Sequence, residues 1–212
     1  DPAGVKAKVT QAVDAAIAND MYVILDWHIL SDGNPMGHLA EAKEFFAEMA
    51  RRYQDSPAVL YEICNEPNGN VTWEGDVKPY AEAVIPVIRA YSPKAVILVG
   101  SPTWSQDIHL AAQSPLTGEN LMYTLHFYAG THGADLRGRI DQALTAGLPV
   151  FVSEWGTSRA DGGGGVFLQA AEEAGLFGPA GHQLGQLVPV RQERDLRSPA
   201  PGNLPPSGVD RR

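Results

Sequence analysis

The sequence is poor in cysteine and has no long apolar run. Its single cysteine, Cys64, has no second thiol for an internal disulfide and lies within an apolar stretch, as a small core residue would. No stretch reaches the roughly 18 apolar residues of a membrane-spanning helix. The first residues lack the basic and then apolar pattern of a secretion signal. These absences exclude a disulfide-rich scaffold and predict a soluble chain.

Positive charge is also scarce. The 16 lysines and arginines stand against 25 aspartates and glutamates, which leaves a formal net charge of −9 without any block of like charge. Because a nucleic acid or an anionic membrane attracts a basic surface, neither is the predicted partner. With 44% apolar and 19% charged residues, the composition is typical of one globular domain with an uncharged or weakly charged partner.

Segments with apolar residues at helical spacing alternate with short, continuous apolar runs. Asp1 and Pro2 form a helix start, and apolar residues recur at helical spacing as far as Ile17. Short runs that are apolar on both faces predict parallel strands at residues 21–28, 58–64, 95–100, 121–127 and 149–153. Helical patterns at 40–53, 80–91 and 136–146 separate them, and a loop-rich stretch precedes the fourth strand. This alternation predicts an α/β fold with a parallel sheet and right-handed crossovers.

Polar and aromatic side chains stand where the predicted strands end. They are His28 after the first strand, Asn65 and Glu66 after the second, Trp104 after the third, His126 and Tyr128 at the end of the fourth, and Glu154 at the end of the fifth. In a (β/α)8 barrel the carboxyl ends of the strands surround one mouth, where active sites lie. The pattern therefore predicts that these side chains converge, with Glu66 at the rim of a pocket and Pro67 stopping its strand.

Other residues of chemical interest favour structural roles. Asp26 and Cys64 are interpreted as structural, and Trp27 and Trp155 fit simple packing. Four loop residues fit either ligand contact or turn formation: Asp32, Asn34, Asn68 and Asn70. Four histidines have neither a strand-end position nor the spacing of a helical metal motif, so no metal site is predicted: His38, His109, His132 and His182.

Two carboxylates across a barrel mouth, with aromatic residues around them, suit cleavage of a glycosidic bond. One acid protonates the leaving oxygen while the other stabilises or attacks the anomeric centre. Five motifs point the same way: VILDWH, YEICNEPNGN, SPTWSQD, LHFYAGTHG and FVSEWGTS. In this order, over about residues 1–170, they resemble the successive signatures of glycoside hydrolase family 5, specifically its bacterial endo-β-1,4-glucanases (cellulases).

The resemblance implies a (β/α)8 barrel and a retaining mechanism. It assigns Glu66 as the general acid/base and Glu154 as the nucleophile, with their carboxyl groups about 5 to 5.5 Å apart. The residues that it implies for substrate binding or for orienting the carboxylates are His28, Asn65, Trp104, His126 and Tyr128, of which Tyr128 is expected to donate a hydrogen bond to Glu154. It also implies a β-glucan substrate, no cofactor and no metal, a secreted location and a monomer.

The chain departs from the family pattern at both ends. Only strands three to seven of the eight are recognisable, so we predict a truncated barrel, with residues 1–177 as a partial catalytic domain and a possible helix at 166–174. Residues 178–212 are rich in Gly, Pro and Arg and are predicted to be disordered. A shifted reading of codons chosen for this tail resembles the family's eighth strand, which suggests a frameshift near residues 172–178; the source nucleotide sequence tests this hypothesis.

Three functional alternatives remain at the level of sequence. The first is a retaining endo-β-1,4-glucanase, the second a non-catalytic carbohydrate-binding remnant, and the third a hydrolase of another β-glycan such as mannan. The remnant differs from the enzyme in whether an incomplete barrel holds the two carboxylates rigidly. We therefore expect residues 1–212 alone to be a poor catalyst.

Overall fold

A computed structural model describes residues 1–167. Its one sheet has five parallel strands that lie side by side in chain order. The strands are β1 (Val23–Asp26), β2 (Val59–Glu62), β3 (Ile97–Val99), β4 (Leu121–Tyr128) and β5 (Val150–Gly156). The helices are α1 (Pro2–Ala18), α2 (Leu39–Arg52), α3 (Lys78–Arg89), α4 (Ile108–Gln113) and α5 (Ala134–Thr145). The predicted α/β alternation and parallel sheet are confirmed.

Local chemistry explains where the helices begin and which faces they bury. The Asp1 side chain accepts a hydrogen bond from the Gly4 amide at 3.1 Å, and Pro2 occupies the first turn, so α1 begins where a cap and a proline predict it. Helices α2 and α3 each bury a stripe of residues at helical spacing against the sheet. These stripes are Ala42, Phe46, Met49 and Ala50 in α2, and Tyr80, Ala81, Val84 and Ile88 in α3.

The sheet is apolar where it is covered on both faces. All three residues of β3 are buried, as expected of a parallel strand at the centre of a sheet. The strands β1 and β5 lie at the two ends of the sheet and, among residues 1–167, each pairs with one neighbour only. No helix in this range is both long and apolar enough to cross a membrane.

The structure adds detail to one predicted element and corrects another. The loop-rich stretch predicted between β3 and β4 contains α4 and a tight turn at residues 102–105. The fifth strand does not end at Ser153 but continues to Gly156, so that Glu154 lies within it. A register shift lies between Leu125 and His126, and beyond it residues 126–128 of β4 pair with residues 154–156 of β5. The predicted helix at 166–174 reaches the described residues only at 166–167, which are irregular, and the predicted tail lies outside them.

The turn at 102–105 has an unusual backbone. Thr103, Trp104 and Ser105 have φ values of 57°, 54° and 55°, so three successive non-glycine residues are left-handed. Each such residue costs about 1–2 kcal/mol relative to the right-handed form. Ordinary backbone hydrogen bonds remain, since the Ser105 amide donates to the Ser101 carbonyl oxygen at 3.0 Å. The turn is therefore a left-handed one that the surrounding structure must stabilise.

The sharp exit from β3 into this turn requires glycine at position 100. A Cβ there would collide with the carbonyl oxygen of Cys64 and would lie 2.9 Å from Ser105 Oγ and 3.1 Å from Pro67 Cδ. Because backbone and buried atoms cannot move aside, Gly100→Ala is expected to destabilise the chain by about 1–3 kcal/mol. The measurement is the urea midpoint of unfolding.

Gly138→Ala is the matched control for that variant. Gly138 lies inside α5, and a Cβ there would meet nothing within 4 Å. The same chemical change should therefore stabilise the helix by about 0.5–1 kcal/mol. Equal urea midpoints for Gly100→Ala and the unmodified chain would show that the close approach at the end of β3 is not tight.

Candidate active site

The carboxyl ends of β2, β4 and β5 bring two glutamates together. A carboxylate oxygen of Glu66, a ring nitrogen of His126 and a carboxylate oxygen of Glu154 all lie within 4.8 Å of one another. His126 Nδ1 is 3.0 Å from Glu66 Oε1, and the Tyr128 hydroxyl donates to Glu154 Oε1 at 2.7 Å. Four of the seven predicted site residues therefore meet at one place, and the predicted bond between Tyr128 and Glu154 is confirmed.

The two carboxylates have different surroundings. The Glu66 side chain is 12% exposed and lies against the buried His126, whereas the Glu154 side chain is 35% exposed. Burial raises the pKa of Tyr128 to about 12, and the hydrogen bond to Glu154 adds to this shift. Tyr128 is therefore protonated at neutral pH and always available as a donor. Oε1 of Glu154 accepts the hydrogen bond from Tyr128, whereas Oε2 does not take part in that bond.

His126 is held between three carboxylates. Burial alone lowers its pKa, but contacts with Glu62 and Glu66 and the charge of Glu154 outweigh burial and raise the pKa to about 9. At neutral pH both ring nitrogens therefore carry a proton. Nδ1 donates to Glu66, and Nε2 donates to Ser153 Oγ at 2.9 Å.

Sequence reasoning missed the residues behind His126. Glu62 is buried with 4% of its surface exposed. Its Oε1 accepts hydrogen bonds from Ser153 Oγ at 2.7 Å and Thr124 Oγ1 at 3.1 Å, and it lies 3.7 Å from His126 Nε2. Thr124 and Ser153 lie inside β4 and β5, and Glu62 is the last residue of β2, four positions before Glu66. The available signal was a charged residue within a strand that is otherwise apolar on both faces.

Asp26, interpreted from the sequence as structural, contacts His28, which is predicted to bind substrate. Its Oδ2 lies 2.8 Å from Nδ1 of His28, while its Oδ1 is buried without a hydrogen-bond partner. Burial and the charge of Glu62 raise the pKa of Asp26 to about 7, against the opposing effect of His28 and His126. The His28 side chain itself is 61% exposed. Asp26 therefore orients His28 at the open edge of the sheet.

The other two residues predicted to bind substrate, Asn65 and Trp104, differ in how far their side chains are buried. Asn65 is buried, and its amide nitrogen donates to the Ile29 carbonyl oxygen at 3.2 Å, which holds the side chain in one orientation. Trp104 is 47% exposed. Trp27 packs against the aromatic rings of Phe45 and Phe46, as its packing interpretation predicts.

Several of the other histidines and loop residues have local partners. His132 has no strand-end position, yet its Nδ1 accepts the backbone N–H of Tyr128 at 2.7 Å, and burial lowers its pKa. His38 pairs with Asp32 at 3.1 Å, and the side chain of Asn34 bonds to that of Asp76. His182 lies outside the described residues. His132 therefore helps to place Tyr128, a role that sequence position did not indicate.

The cluster of Glu66, His126 and Glu154 also has the donor types of a metal site. Its histidine fits that role poorly, because both ring nitrogens already donate hydrogen bonds and a metal needs a neutral nitrogen lone pair. The absence of a metal remains a prediction.

Glu62→Gln tests the electrostatics of this network. The amide keeps an oxygen that can accept from Ser153 and Thr124 but removes the negative charge 3.7 Å from His126. The pKa of His126 should therefore fall by about 1–3. The measurement is an NMR titration of the His126 ring, assigned with His126→Gln, and Glu82→Gln on the exposed face of α3 serves as the control. An unchanged titration midpoint would contradict the assigned role of Glu62.

The raised pKa of His126 also makes stability depend on pH. Its folded pKa of about 9 lies above the ordinary value of 6.5, so its contribution is complete below about pH 6.5 and is lost as pH rises through about 9. Asp26 acts in the same direction at lower pH, between its ordinary value of 3.8 and about 7. We therefore expect His126→Gln to flatten the loss of folding free energy as pH rises from about 6.5 to 9, but not the loss as pH rises from about 3.8 to 7, as measured by urea unfolding across this range.

Comparisons with known proteins show which family the chain resembles. The family model described as Cellulase (glycosyl hydrolase family 5) matches residues 2–177. Among curated proteins, the chain is 59% identical over 173 residues to endoglucanase A of Evansella cellulosilytica, covering 81% of this chain and 35% of that protein. It is 56% identical over 166 residues to endoglucanase Z of Dickeya dadantii, covering 78% of this chain and 38% of that protein.

Solved structures show the same fold. The cellulase Cel5C_n superposes with a TM-score of 0.79 at 47% identity, over 82% of this chain and 54% of that one. The catalytic domain of Thermobifida fusca endoglucanase Cel5A in complex with cellotetraose superposes with a TM-score of 0.77 at 41% identity, over 82% of this chain and 58% of that one. The predicted fold, part of a (β/α)8 barrel, is confirmed. The chain spans less than two thirds of each of these four proteins.

Proposed function

The chain belongs to glycosyl hydrolase family 5, and on that premise we propose that the protein it represents hydrolyses internal β-1,4-glucosidic bonds in cellulose or a related β-glucan. The observation that carries this proposal is the pair of Glu66 and Glu154, whose oxygens approach within 4.8 Å beside His126. The named relatives are endoglucanases, and one related structure binds cellotetraose, which supports a polysaccharide substrate.

The proposed mechanism is retaining. Glu66 protonates the oxygen of the leaving sugar while Glu154 attacks the anomeric carbon, so the glycosidic bond breaks as a covalent glycosyl-enzyme forms. Glu66 then takes a proton from water, which attacks the same carbon and releases Glu154. Retaining enzymes separate the two carboxyl groups by about 5–5.5 Å and inverting enzymes by about 6.5–9.5 Å. The short approach of the two side chains supports the retaining alternative.

The neighbouring residues orient the two carboxylates for their different roles. Tyr128 donates to Oε1 of Glu154, which leaves Oε2 as the oxygen for attack. His126 donates to Oε1 of Glu66, which leaves its Oε2 to face the leaving group. Because the bond from Ser153 to Glu62 supports the far side of His126, the imidazole ring cannot rotate freely. These contacts hold the reacting oxygens in place before the substrate arrives.

Three further residues are proposed to hold the sugar. The exposed indole of Trp104 can cover the apolar C–H face of a glucose ring. Asn65, fixed by its bond to Ile29, is proposed to bind the 2-hydroxyl group, where hydrogen bonds strengthen in the transition state. His28, oriented by Asp26, is the third sugar contact.

The proposed substrate and site also bear on where the protein acts and on its oligomeric state. Cellulose is an extracellular polymer too large to enter a cell, so a secreted enzyme is proposed. A monomer suffices for this mechanism, since both glutamates come from one chain.

An enzymatic assay tests the proposed function. We place residues 2–167 into endoglucanase A of Evansella cellulosilytica in place of the segment that they match, so that the remaining strands are supplied; this protein is called the chimera below. Release of reducing sugar from carboxymethylcellulose, clearly above release from mannan, is the expected result. Release from mannan alone would replace the proposed substrate, and binding without hydrolysis would favour a carbohydrate-binding remnant.

A further inference from the structure

The left-handed turn after β3 stands beside the candidate active site. β-Branched and bulky residues rarely adopt positive φ, yet Thr103 and Trp104 do so in succession and Ser105 follows them. Such strain persists only where the surroundings hold the backbone, and it gathers at ligand-binding positions. The hydrogen bonds of this turn show what stabilises its backbone, and the exposure of its side chains shows which residue faces solvent.

Two hydrogen bonds join the turn to the segment that carries Glu66. The buried Ser105 hydroxyl donates to the carbonyl oxygen of Asn65 at 2.6 Å. The backbone N–H of Trp104 donates to the carbonyl oxygen of Pro67 at 3.0 Å. Since Asn65 and Pro67 flank Glu66 on both sides, any movement of the turn changes the position of Trp104 relative to Glu66.

A second set of contacts joins the turn to α5. The Thr103 hydroxyl donates to Asp107 Oδ2 at 2.6 Å, and Arg139 of α5 donates to Asp107 Oδ1 at 2.7 Å. The Asp107 side chain is only 14% exposed, so this pairing is partly shielded from water. We call Thr103, Asp107 and Arg139 the clamp.

The residue presented by this turn contributes little to the core. Trp104 is 47% exposed and is the one exposed residue among the four tryptophans, whereas Trp73 has 2% of its surface exposed. Folding alone does not account for a strained, doubly bonded backbone that leaves an indole in solvent. A ligand that covers the indole does account for it.

We propose that Thr103, Asp107 and Arg139 are positioning residues that hold the indole of Trp104 in fixed register with Glu66 and so set the affinity for β-glucan chains long enough to reach it. The inference rests on the proposed function and deepens it. A platform that is rigid before binding loses less entropy when a sugar stacks on it. A substrate too short to reach Trp104 gains nothing from the clamp.

Thr103→Val removes the hydroxyl group and keeps the branched shape, while Thr103→Ser keeps the hydroxyl group as the matched control. In the 212-residue chain and in the chimera, exchange of the Trp104 amide hydrogen should be about tenfold faster in Thr103→Val than in Thr103→Ser, because a hydrogen bond to a charged group is lost. This readout needs no sugar, so it does not depend on the proposed function.

Binding supplies the second readout, measured by calorimetry in the chimera that also carries Glu154→Gln to prevent hydrolysis. Thr103→Val should weaken cellopentaose binding about tenfold, and Thr103→Ser should leave it within about twofold. In the Trp104→Ala background Thr103→Val should have no further effect, since the clamp then has no indole to place.

Three results would overturn the inference. They are equal cellopentaose affinity for the two Thr103 variants, an equal loss of affinity with and without Trp104, and unchanged exchange of the Trp104 amide. If the chimera binds no cellopentaose although its Trp104 amide responds as expected, the sugar-binding role of the clamp fails together with the proposed function. If cellopentaose binds and the variants do not differ, the inference alone fails.

Discussion

Replacing Glu154 with glutamine is expected to lower kcat of the chimera on carboxymethylcellulose by at least about a thousandfold. The amide has nearly the same shape as the carboxylate and can still accept the hydrogen bond from Tyr128, but it cannot attack the anomeric carbon. Affinity for cellotetraose should remain within about threefold of the unmodified chimera, because the sugar contacts are unchanged. Reducing-sugar release and calorimetry measure the two effects.

Glu82→Gln is the control for this loss of activity. Glu82 lies on the exposed face of α3, so the same chemical change there should leave kcat and affinity unaltered. If Glu154→Gln retains normal turnover, Glu154 is not the nucleophile and the proposed double displacement is wrong. If it loses cellotetraose binding together with turnover, its effect is on the shape of the site.

The second large effect concerns the chain by itself. Residues 1–212 expressed alone are expected to have kcat/KM at least about a hundredfold below that of the chimera, because errors of about 1 Å in the placement of catalytic groups cost this much. Among the described residues, β1 and β5 each lack a second neighbour, and both glutamates depend on the ends of the strands for their position. Unpaired apolar edges also favour aggregation, so the chain should be less soluble.

The comparison uses three measurements on the two proteins. These are solubility after expression, the steepness of thermal unfolding, and hydrolysis of carboxymethylcellulose. A soluble monomer that unfolds sharply and turns over substrate as fast as the chimera would show that residues 1–212 hold the site by themselves.

The existence and order of the strands could be predicted because they depend on local sequence, although their exact ends differ from the prediction. A run that is apolar on both faces, followed by a polar residue and a proline, predicted a strand at 58–64; β2 ends earlier, at Glu62, and Glu66 lies in the segment that follows it. The same reasoning found His126, Tyr128 and Glu154, since equivalent ends of parallel strands meet at one edge. Resemblance to a known family supplied their roles, which residue spacing alone does not distinguish.

The network behind the site depends on contacts between strands, and these are not written in any one segment. Glu62 meets Ser153 across the sheet, and the register shift after Leu125 decides which residues of β4 and β5 face each other. The left-handed turn was also missed, because residues 103–105 contain no glycine to signal positive φ. In both cases distant hydrogen bonds select a local arrangement that propensity disfavours.

Trapping of the covalent intermediate tests the central claim most directly. The chimera is treated with a 2-deoxy-2-fluoro β-cellobioside that carries a good leaving group, and peptides are then mapped by mass spectrometry. Fluorine at position 2 slows both steps, so a reactive leaving group lets the glycosyl-enzyme accumulate. The account predicts one added 2-deoxy-2-fluorocellobiosyl unit on the peptide that contains Glu154, absent from Glu154→Gln. An adduct on Glu66, or complete inhibition without any adduct, would contradict it.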